Sequence, residues 1–446
     1  MKILNKREPF ILFTGDILAF SLSLWAALAV RYGEMPSYDL LALHGAPFAV
    51  LFTLWVLVFF IAGLYEKHTL VFKGKLPTLI LNTQVANSII AVGFFYLVPF
   101  FGIAPKTILV VYLVISFFLI IFWRVVLASR LNVRNRERAI LIGSGAEMKQ
   151  LKDEVNANER YNLVFVSSVD LEKLDGIAFQ EEVIEKVRSE GVSSVVIDLR
   201  HKNAGAILPS LYSLIFSHVR FMDMHKVYEE VFDRVPLSLV GYNWFLENIS
   251  SGTRSMYDVI KRAMDITIAS VLGTLSLLVY PFVMAAIKLE DGGPVFITQE
   301  RIGQGNRTMY LWKFRSMRGS DKGVWLTDGD ARVTKVGKFL RKSRIDELPQ
   351  LWNVVRGDIS LIGPRPDIIG LGKQLAEQLP YYTIRNLIKP GLSGWAQLKQ
   401  ELPPQSLEET RLRLAYDLYY LKNRSVVLDF TIALKTVKVL LSRTGL

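Results

Sequence analysis

The first third of the chain contains four apolar runs that each have the length of a membrane-spanning helix. They occupy residues 10–30, 47–64, 78–101 and 107–127. Because an α-helix rises about 1.5 Å per residue, about 20 apolar residues span the roughly 30 Å hydrocarbon core of a bilayer. Hydrophobic residues make up 51% of the whole chain, which is more than soluble enzymes usually contain. The sequence therefore predicts a bundle of four transmembrane helices over residues 1–130, followed by soluble regions.

Basic residues flank these runs unevenly and predict the orientation of the bundle. Lys and Arg cluster before the first run, between the second and third, and after the fourth, whereas the other two loops carry few. Since positively charged loops stay in the cytoplasm, both ends of the bundle are expected there. No small-residue cleavage site follows the first run, which favours an anchor over a signal peptide. Asp16, inside the first run, is either a functional carboxylate or a paired structural one.

Residues 131–248 begin with a basic linker and then alternate between short apolar strands and helices. Strands are predicted at residues 139–142, 163–166, 192–199 and 219–222, with helices from about 147 and at 181–189 and 204–216. This alternation is typical of a doubly wound, Rossmann-like sheet. After the loop Gly143-Ser144-Gly145, Met148 stands where a dinucleotide-binding loop has its third glycine. We therefore predict a structural or regulatory domain, with nucleotide binding as the alternative.

A further apolar segment, at residues 264–288, contains Pro281 in its second half. Its length permits a membrane span, but Lys and Arg flank it on both sides, which argues weakly for a cytoplasmic location of both ends. Proline in a helix interior interrupts the hydrogen bonding and can turn the chain back. The sequence therefore predicts a re-entrant hairpin that holds a monotopic mixed α/β domain, residues 249–446, at the inner leaflet.

The region after this segment is strongly basic. From Glu300 to Arg344 there are twelve Lys or Arg against four acidic residues, a net charge of +8 out of +12 for the chain. Such a field attracts anionic substrates and is expected to lower the pKa of a nearby carboxylate. A solvated surface or a nucleic-acid interface would have the same composition. The region carries no named nucleic-acid-binding motif, so no nucleic-acid partner is predicted.

Two adjacent carboxylates, Asp346 and Glu347, directly follow this basic region. Pro349 suits only a first helical turn and Gly357 suits a helix C-terminus, so the pair is expected at the positive end of a short helix. Anions and phosphoryl groups bind at such ends. The alternative is that Asp346 only caps the helix and Glu347 only complements its dipole.

Six groups of short motifs from residue 257 onward make the sequence resemble a known family. They are K-R-x-x-D at 261–265, G-P-V-F with Q-E-R-I-G at 293–303, K-F-R-S-M at 313–317, D-E-L-P-Q-L at 346–351, G-P-R-P at 363–366 and K-P-G-L-S-G-W-A-Q at 389–397. Their order and spacing resemble the bacterial sugar transferases, the monotopic phosphoglycosyl transferases that begin lipid-linked glycan assembly. The four helices and the α/β unit resemble the long form, the polyprenyl-phosphate hexose-1-phosphate transferases. Two departures are Tyr280-Pro281, where Ser-Pro is frequent, and residues 398–401, where Asn-Gly is common.

The resemblance implies a reaction and roles for several residues. In this family the Asp of the Asp-Glu pair attacks the β-phosphate of a UDP-sugar, releases UMP and holds the sugar phosphate until undecaprenyl phosphate accepts it. Asp346 is then the nucleophile and Glu347 a magnesium ligand or proton handler, the two together forming the implied Mg²⁺ site. Magnesium suits carboxylates plus substrate phosphates, and a chain with no cysteine and five histidines offers no thiolate site and disfavours zinc. The implied substrate-binding residues are Arg301, Lys313, Arg315, Arg365 and Lys389.

The residues themselves offer some support for these roles. Lys313 and Arg315 alternate with Phe314 as on a strand, so they are expected to share one face and to contact one phosphate. Prolines on both sides of Arg365 stiffen the backbone that presents its guanidinium. Solvated surface charges and a surface turn would have the same sequence.

The resemblance also implies a location and partners. They are the bacterial inner membrane, with the soluble domains and both termini in the cytoplasm, a UDP-sugar donor and an undecaprenyl phosphate acceptor. Two other functions stay open. One is a membrane-bound, NAD-dependent nucleotide-sugar dehydratase or epimerase that uses the Gly143 loop, although we interpret its Tyr257-x-x-x-Lys261 string as chance. The other is a non-catalytic scaffold of a polysaccharide export complex. The identity of the sugar and the oligomeric state, including a homo-oligomer, are left open.

Two segments near the C-terminus, residues 412–421 and 426–441, mix aromatic and aliphatic residues with Lys435 and Lys438. This composition predicts interfacial helices that lie on an anionic leaflet. A packed core helix is the alternative.

Overall fold

A computed structural model describes most of the chain as two compact units. The described residues are 7–65, 76–98, 106–127, 136–158, 161–173, 185, 189, 191–213, 219–249, 255–319, 332–400 and 402–442. One unit is Met1–Val231 and the other is Phe232–Leu446. Most of the predicted helix at 181–189 and most of the predicted basic linker lie outside the described residues.

The four apolar runs form four long helices. They are α1 (Arg7–Tyr32), α2 (Tyr38–Ala62), α3 (Leu76–Leu97) and α4 (Lys106–Ile121), which continues as a π-helix over Phe122–Leu127. All four are long and apolar enough to cross a membrane, as predicted. The second helix begins at Tyr38, earlier than the predicted residue 47, because Ser37 caps it there. Pro47 consequently lies inside the helix. Its aromatic side chains help fill the bundle centre, where the buried rings are Phe20, Phe48, Trp55, Phe59 and Tyr112.

A fully buried ion pair connects the first and fourth membrane helices. Arg124 donates from Nε to Asp16 Oδ1 at 3.0 Å, from Nη2 to Asp16 Oδ2, and from Nη1 to the Leu64 carbonyl at 2.7 Å. Tyr65 donates to Asp16 at 2.7 Å, and both charged side chains are 0% exposed. A charge can be buried at acceptable cost only when it is paired in this way. The interpretation of Asp16 as a paired structural carboxylate is therefore confirmed.

The rest of the first unit contains a parallel sheet. Its strands are β1 (Glu137–Gly143), β2 (Leu163–Asp170), β3 (Ser194–Ile197) and β4 (Arg220–Asp223), in the order β2-β1-β3-β4 with all pairs parallel. The helices around it are α5 (Gly145–Ala157), α6 (Ala204–Ser213) and α7 (Met224–Phe232). Residues 139–142 of the central strand are all buried, as expected for a sheet covered on both faces.

The glycine loop after β1 is packed closely by methionines. A Cβ on Gly143 would lie 2.7 Å from the Met224 sulfur, so a side chain at this position would require Met224 to move. Met148, in the place of the third glycine, is 9% exposed. Both side chains therefore contribute to the core beneath the loop.

The second unit combines helices with two small sheets. Its helices are α8 (Tyr242–Asn248), α9 (Ser255–Ser276), α10 (Tyr280–Asp291), α11 (Lys335–Lys342), α12 (Gln350–Arg356), α13 (Ile369–Gln378), α14 (Trp395–Lys399), α15 (Leu407–Asn423) and α16 (Val426–Ser442). Its strands are antiparallel β5 (Phe296–Ile302) and β6 (Thr308–Phe314), and parallel β7 (Ser360–Ile362) and β8 (Gly391–Ser393). The predicted mixture of helices and strands is confirmed.

The apolar segment before β5 is bent. Helices α9 and α10 meet at an angle of 56° and together are apolar enough to be a broken span or a re-entrant loop. Pro281 lies in the first turn of α10, where the missing N–H costs little, rather than in a helix interior. The surface around the bend is apolar, with exposed Val271, Leu272, Leu275, Leu277, Leu278 and Phe282. On the inner side, a Cβ on Gly273 would lie 3.4 Å from the Trp352 ring, so α9 packs directly against α12.

The two C-terminal helices differ in their burial. In α15, Leu414, Leu418 and Leu421 are buried with Trp244 and Tyr382, so the alternative interpretation of a packed core helix is correct for this segment. Helix α16 is more exposed, with Val427 76% and Leu440 52% exposed.

Asp429 on α16 anchors the beginning of α9. Tyr257 donates to its Oδ2 at 2.9 Å and Lys261 at 2.8 Å, while Tyr420 donates to its Oδ1 at 2.7 Å. The Tyr-x-x-x-Lys string therefore has a structural partner within the second unit.

Candidate active site

The two adjacent carboxylates lie on a short 3-10 turn, Ile345–Glu347, between α11 and α12. Arg344, just before the turn, has a left-handed backbone with φ 57°, which is uncommon for a residue with a side chain. Pro349 caps the start of the following helix, α12, and Gly357, whose φ is 96°, caps its end. The predicted helix and its end are confirmed, and the carboxylates lie just before its first turn.

Glu347 is surrounded by cations from separate segments. Its Oε1 accepts from Lys313 on β6 and from Arg365 in the loop after β7, both at 3.1 Å. Arg344 Nη1 lies 3.8 Å from Oε2. Although burial alone would raise the pKa of Glu347, these cations hold it well below its usual range. Glu347 is therefore ionised at neutral pH.

Asp346 has a different environment. It is 6% exposed, and its Oδ1 has no hydrogen-bond partner within the described part of the chain. Burial and the neighbouring Glu347 charge raise its pKa to about 6, although Lys313, Arg341 and Arg344 oppose this. The expectation that the basic region lowers a carboxylate pKa is therefore correct for Glu347 and wrong for Asp346, where desolvation dominates.

A buried charge network fixes the backbone of Arg365. Arg385, whose side chain is 0% exposed, donates from Nη2 to the Arg365 carbonyl at 2.8 Å. Its Nε donates to Asp417 at 2.8 Å, and its Nη1 pairs with Asp367. Such a network is rigid because breaking any one pair leaves a buried charge uncompensated. The loop at residues 363–366 therefore presents Arg365 from a fixed backbone.

The loops before β8 and after β7 contact each other through glycine. A Cβ on Gly391 would lie 2.1 Å from the Gly363 nitrogen, and a Cβ on Gly363 would lie 2.6 Å from the Lys389 carbonyl oxygen. Gly391 N also donates to the Pro364 carbonyl at 3.0 Å. Neither position has room for a side chain. The motifs at 363–366 and 389–397 therefore form one packed unit.

The structure brings two of the predicted substrate-binding residues to different carboxylates. Lys313 contacts Glu347, whereas Arg315, beyond the end of β6, pairs with Asp291 at the end of α10. A Cβ on Gly293 would lie 1.7 Å from the Arg315 guanidinium, so a side chain at this position would require Arg315 to move away from its place beside Asp291. The expected shared strand face thus does not give Lys313 and Arg315 a shared partner.

The other two predicted substrate-binding residues contact neither site carboxylate among the described contacts. Arg301 on β5 donates to Gln299 Oε1 at 2.9 Å. Lys389 lies near the C-terminus of α12, with Nζ 3.4 Å from the position of a Cβ on Gly357. The predicted set therefore divides into Lys313 and Arg365, which meet at Glu347, and three residues placed elsewhere.

Sequence reasoning missed several residues that shape the site. Arg341 and Arg344 act on the electrostatics of Asp346, and the spacing of Arg344 three residues before Glu347 could have indicated its contact. Gln350 is 4% exposed and its Nε2 has no partner among the described residues. Arg262 donates at 2.7 Å to two carbonyls at the C-terminal end of α12, across 92 and 93 residues, and no local pattern indicates that contact.

Two family models match the chain. One, described as Bacterial sugar transferase, covers residues 256–443 and so includes Asp346 and all five predicted substrate-binding residues. The other, described as CoA-binding domain, covers residues 60–221.

Several curated proteins are similar to this chain. The UDP-N-acetylgalactosamine-undecaprenyl-phosphate N-acetylgalactosaminephosphotransferase of Aeromonas hydrophila is 38% identical over 256 residues, which cover 56% of this chain and 60% of that protein. The UDP-glucose:undecaprenyl-phosphate glucose-1-phosphate transferase of Escherichia coli is 35% identical over 52% of this chain and 47% of its own length. The matched region thus spans about half the length of these two relatives.

A shorter relative is matched almost completely. The exopolysaccharide production protein PSS of Rhizobium leguminosarum is 40% identical over 189 residues, which cover 40% of this chain and 94% of that protein. Together with the family model, this match shows that the chain belongs to the bacterial sugar transferase family.

Proposed function

We propose that this protein transfers a sugar 1-phosphate from a UDP-sugar to undecaprenyl phosphate and releases UMP, through a covalent phosphosugar on Asp346. Family membership supports the reaction class, because the names of two relatives give these donors and this acceptor. The observation that carries the proposal is the Asp346 carboxylate. It is buried, has an oxygen with no hydrogen-bond partner among the described residues, and adjoins a glutamate whose charge is held by cations.

In the first step, a carboxylate oxygen of Asp346 attacks the β-phosphorus of the UDP-sugar. The bond from that phosphorus to the bridging oxygen of the α-phosphate breaks, and UMP leaves with its electron pair. Asp346 becomes an acyl phosphate that carries the sugar. Because the carboxylate must be ionised to attack, a pKa of about 6 keeps it reactive at neutral pH while leaving it more basic than an ordinary aspartate.

Lys313 and Arg365 position the phosphate oxygens during this step. Each donates one hydrogen bond to Glu347 Oε1, and a lysine has three donors and an arginine five. Among the described contacts no other hydrogen bond uses their remaining N–H groups, which we propose donate to a diphosphate. Phosphoryl transfer depends chiefly on such positioning and charge stabilisation, which preorganised cations in a buried site supply.

In the second step, a phosphate oxygen of undecaprenyl phosphate attacks the same phosphorus. The bond from that phosphorus to the Asp346 oxygen breaks, which regenerates the carboxylate and yields an undecaprenyl diphosphate sugar. The acceptor is a lipid, so the site must lie at a membrane surface. The contact of Gly273 on α9 with Trp352 on α12 supports this, since it joins the apolar bend to the site helix.

A magnesium ion fits the site through one carboxylate oxygen. The described residues contain no group of three His, Cys, Asp or Glu side chains arranged for a metal, so substrate phosphates would supply most ligands, as is usual for magnesium. Asp346 Oδ1 is available, whereas Glu347 Oε1 already accepts from two cations. We assign the ion to Asp346 and the phosphates, with Glu347 as the residue that holds Lys313 and Arg365. Bound there, magnesium would neutralise charge on the transferred phosphate.

The rest of the chain is proposed to place this site at the cytoplasmic face of the bacterial inner membrane. Residues 1–130 form the transmembrane domain, residues 131–248 a Rossmann-like domain and residues 249–446 the transferase domain. The bent α9–α10 pair is a re-entrant hairpin, and both termini are cytoplasmic. Four apolar helices, a parallel sheet with a switch in winding between β1 and β3, and separate family matches support this division.

The test is UMP release by nanodisc-held protein from a panel that includes UDP-glucose and UDP-N-acetylgalactosamine. Each donor is offered with and without undecaprenyl phosphate and magnesium. Release that depends on one sugar, together with a lipid-linked product, is the expected result. UDP or an altered nucleotide sugar in place of UMP would overturn the proposal in favour of a dehydratase or epimerase, and no turnover of any donor would favour a scaffold.

A further inference from the structure

Another buried side-chain atom without a hydrogen-bond partner among the described residues belongs to Gln350, close to Asp346 in the sequence. Gln350 begins α12, four residues after Asp346, and is 4% exposed. Its Nε2 has no hydrogen-bond partner among the described residues, as is also true of Asp346 Oδ1. One short segment thus buries an unpaired donor together with an unpaired acceptor.

Such atoms are rare because they are costly. Leaving a buried donor unpaired costs roughly 1–3 kcal/mol, so native proteins contain few and each calls for an explanation. The same helix satisfies its other buried amide completely. Asn353 accepts from Trp312 N at 3.0 Å and donates to the Tyr310 carbonyl at 2.9 Å and to Asp358 at 2.8 Å. The unpaired amide at Gln350 is therefore not a general property of this helix.

The surroundings indicate which ligand would pair with Gln350. The amide nitrogen can only donate, so its partner must be an acceptor. Lys313, Arg341 and Arg344 act on the adjacent Asp346 and favour an anion at the site. A phosphoryl oxygen meets both requirements, whereas a cation or an apolar group meets neither.

We propose that Gln350 Nε2 donates a hydrogen bond to a non-bridging oxygen of the phosphoryl group that Asp346 transfers. The inference rests on the proposed function and adds a substrate-contacting residue to it. Gln350 is neutral, so it fixes the orientation of the phosphorus toward Asp346 while the cations stabilise charge. The contact is present in the donor complex and in the phosphosugar intermediate, because both contain that oxygen.

The test compares Gln350→Met with wild type in the full-length, nanodisc-held protein. Methionine keeps the length of the side chain and removes the donor. With the active UDP-sugar and saturating undecaprenyl phosphate, kcat/KM for UMP release is expected to fall about 10- to 100-fold, the range for a hydrogen bond to a charged group. The thermal unfolding midpoint should equal or exceed that of wild type, because a buried unpaired amide is removed.

Two further variants sharpen the result. Gln350→Glu has the shape of glutamine but repels phosphate, so it should lose more activity than Gln350→Met. Gln374→Met makes the same chemical change at an exposed glutamine of α13 and should leave kcat/KM unchanged.

The outcomes separate this inference from the proposed function. An active wild type with Gln350→Met within twofold in kcat/KM would overturn the inference alone. So would a lowered unfolding midpoint with unchanged turnover per folded molecule, which is the result of a structural role. If Gln350→Met shifts the acidic limb of the pH profile of kcat/KM, Gln350 donates to Asp346 and not to the substrate, which would also overturn the inference. If wild type releases no UMP from any donor, the proposed function fails and the inference falls with it.

Discussion

Two regions of this molecule bury an aspartate beside arginine, and they treat it differently. In the membrane bundle, both oxygens of Asp16 are bonded to Arg124 and one also accepts from Tyr65. At the candidate site, one oxygen of Asp346 has no hydrogen-bond partner in the described part of the chain, and Lys313 and Arg365 donate to Glu347 instead. A fully paired buried carboxylate fixes helices together, whereas an incompletely paired one is held ready for a ligand. Because the two aspartates are similarly buried, it is their hydrogen bonds that distinguish the structural carboxylate, Asp16, from the proposed nucleophile, Asp346.

The largest expected effect is on chemistry at Asp346. Asp346→Asn removes the nucleophile while keeping the size of the side chain, so UMP release should fall at least about 1000-fold. Asp16→Asn is the matched control in the membrane bundle and should retain turnover per folded molecule. Radiolabelled sugar phosphate should remain bound to wild type and not to Asp346→Asn after denaturation. Turnover by Asp346→Asn close to that of wild type would remove the nucleophile assignment.

The second effect is on the stability of the membrane bundle. Asp16→Ala leaves the charge of Arg124 buried without a partner, which should cost about 3–5 kcal/mol. The double variant Asp16→Leu/Arg124→Leu removes both charges and should be much less destabilised. Thermal unfolding in a fixed detergent measures both. Equal destabilisation by the single and double variants would show that the pair does not act as a unit.

The third effect is a gain in the free energy of unfolding, in contrast to the loss at Asp16, and it again concerns Asp346. Its pKa of about 6, above the ordinary 3.8, means that the folded state disfavours its ionised form. The resulting loss of stability is absent below about pH 4, develops between about pH 4 and pH 6, and amounts to about 3 kcal/mol above that. Asp346→Asn should therefore unfold at a higher temperature than wild type at pH 8 and at the same temperature at pH 4. A lower midpoint at pH 8 would contradict the assigned environment.

The smallest effect is the pH dependence of turnover. The nucleophile must be ionised, so at limiting magnesium, where Asp346 holds no cation, kcat/KM should fall about tenfold per pH unit below about pH 6 and be flat above it until another group titrates. Glu347 adds no limb in this range, because its pKa lies far below it. A limb near pH 4 would mean that the carboxylate is not desolvated in the free enzyme.

The fold and much of the site could be predicted from sequence because their signals are local. The four apolar runs, the end of α12 at Gly357 and the adjacent carboxylates all depend on a few consecutive residues. The motif resemblance grouped Lys313 and Arg365 as substrate-binding residues, but it did not indicate that both would contact Glu347. Local patterns therefore identified the elements and the resemblance grouped them.

The burial of the site could not be predicted in the same way. We expected the carboxylates at the positive end of a helix, a position that does not indicate burial, but Asp346 is only 6% exposed. Its desolvation depends on packing between segments far apart in the chain, and so does the support of Arg365 by Arg385, 20 residues further on. The pairing of Arg315 with Asp291 is likewise a contact between an apolar helix and a loop that no periodicity indicates.

The contact between Gly363 and Gly391 has a consequence for engineering. A Cβ on Gly391 would lie 2.1 Å from a backbone nitrogen, so even one methyl group is too large here, whatever the polarity of the side chain. A randomised library across these two loops would accept varied chemistry at exposed neighbours and reject every side chain at the two glycines. Any redesign of these loops must therefore keep this pair fixed and change the residues around it.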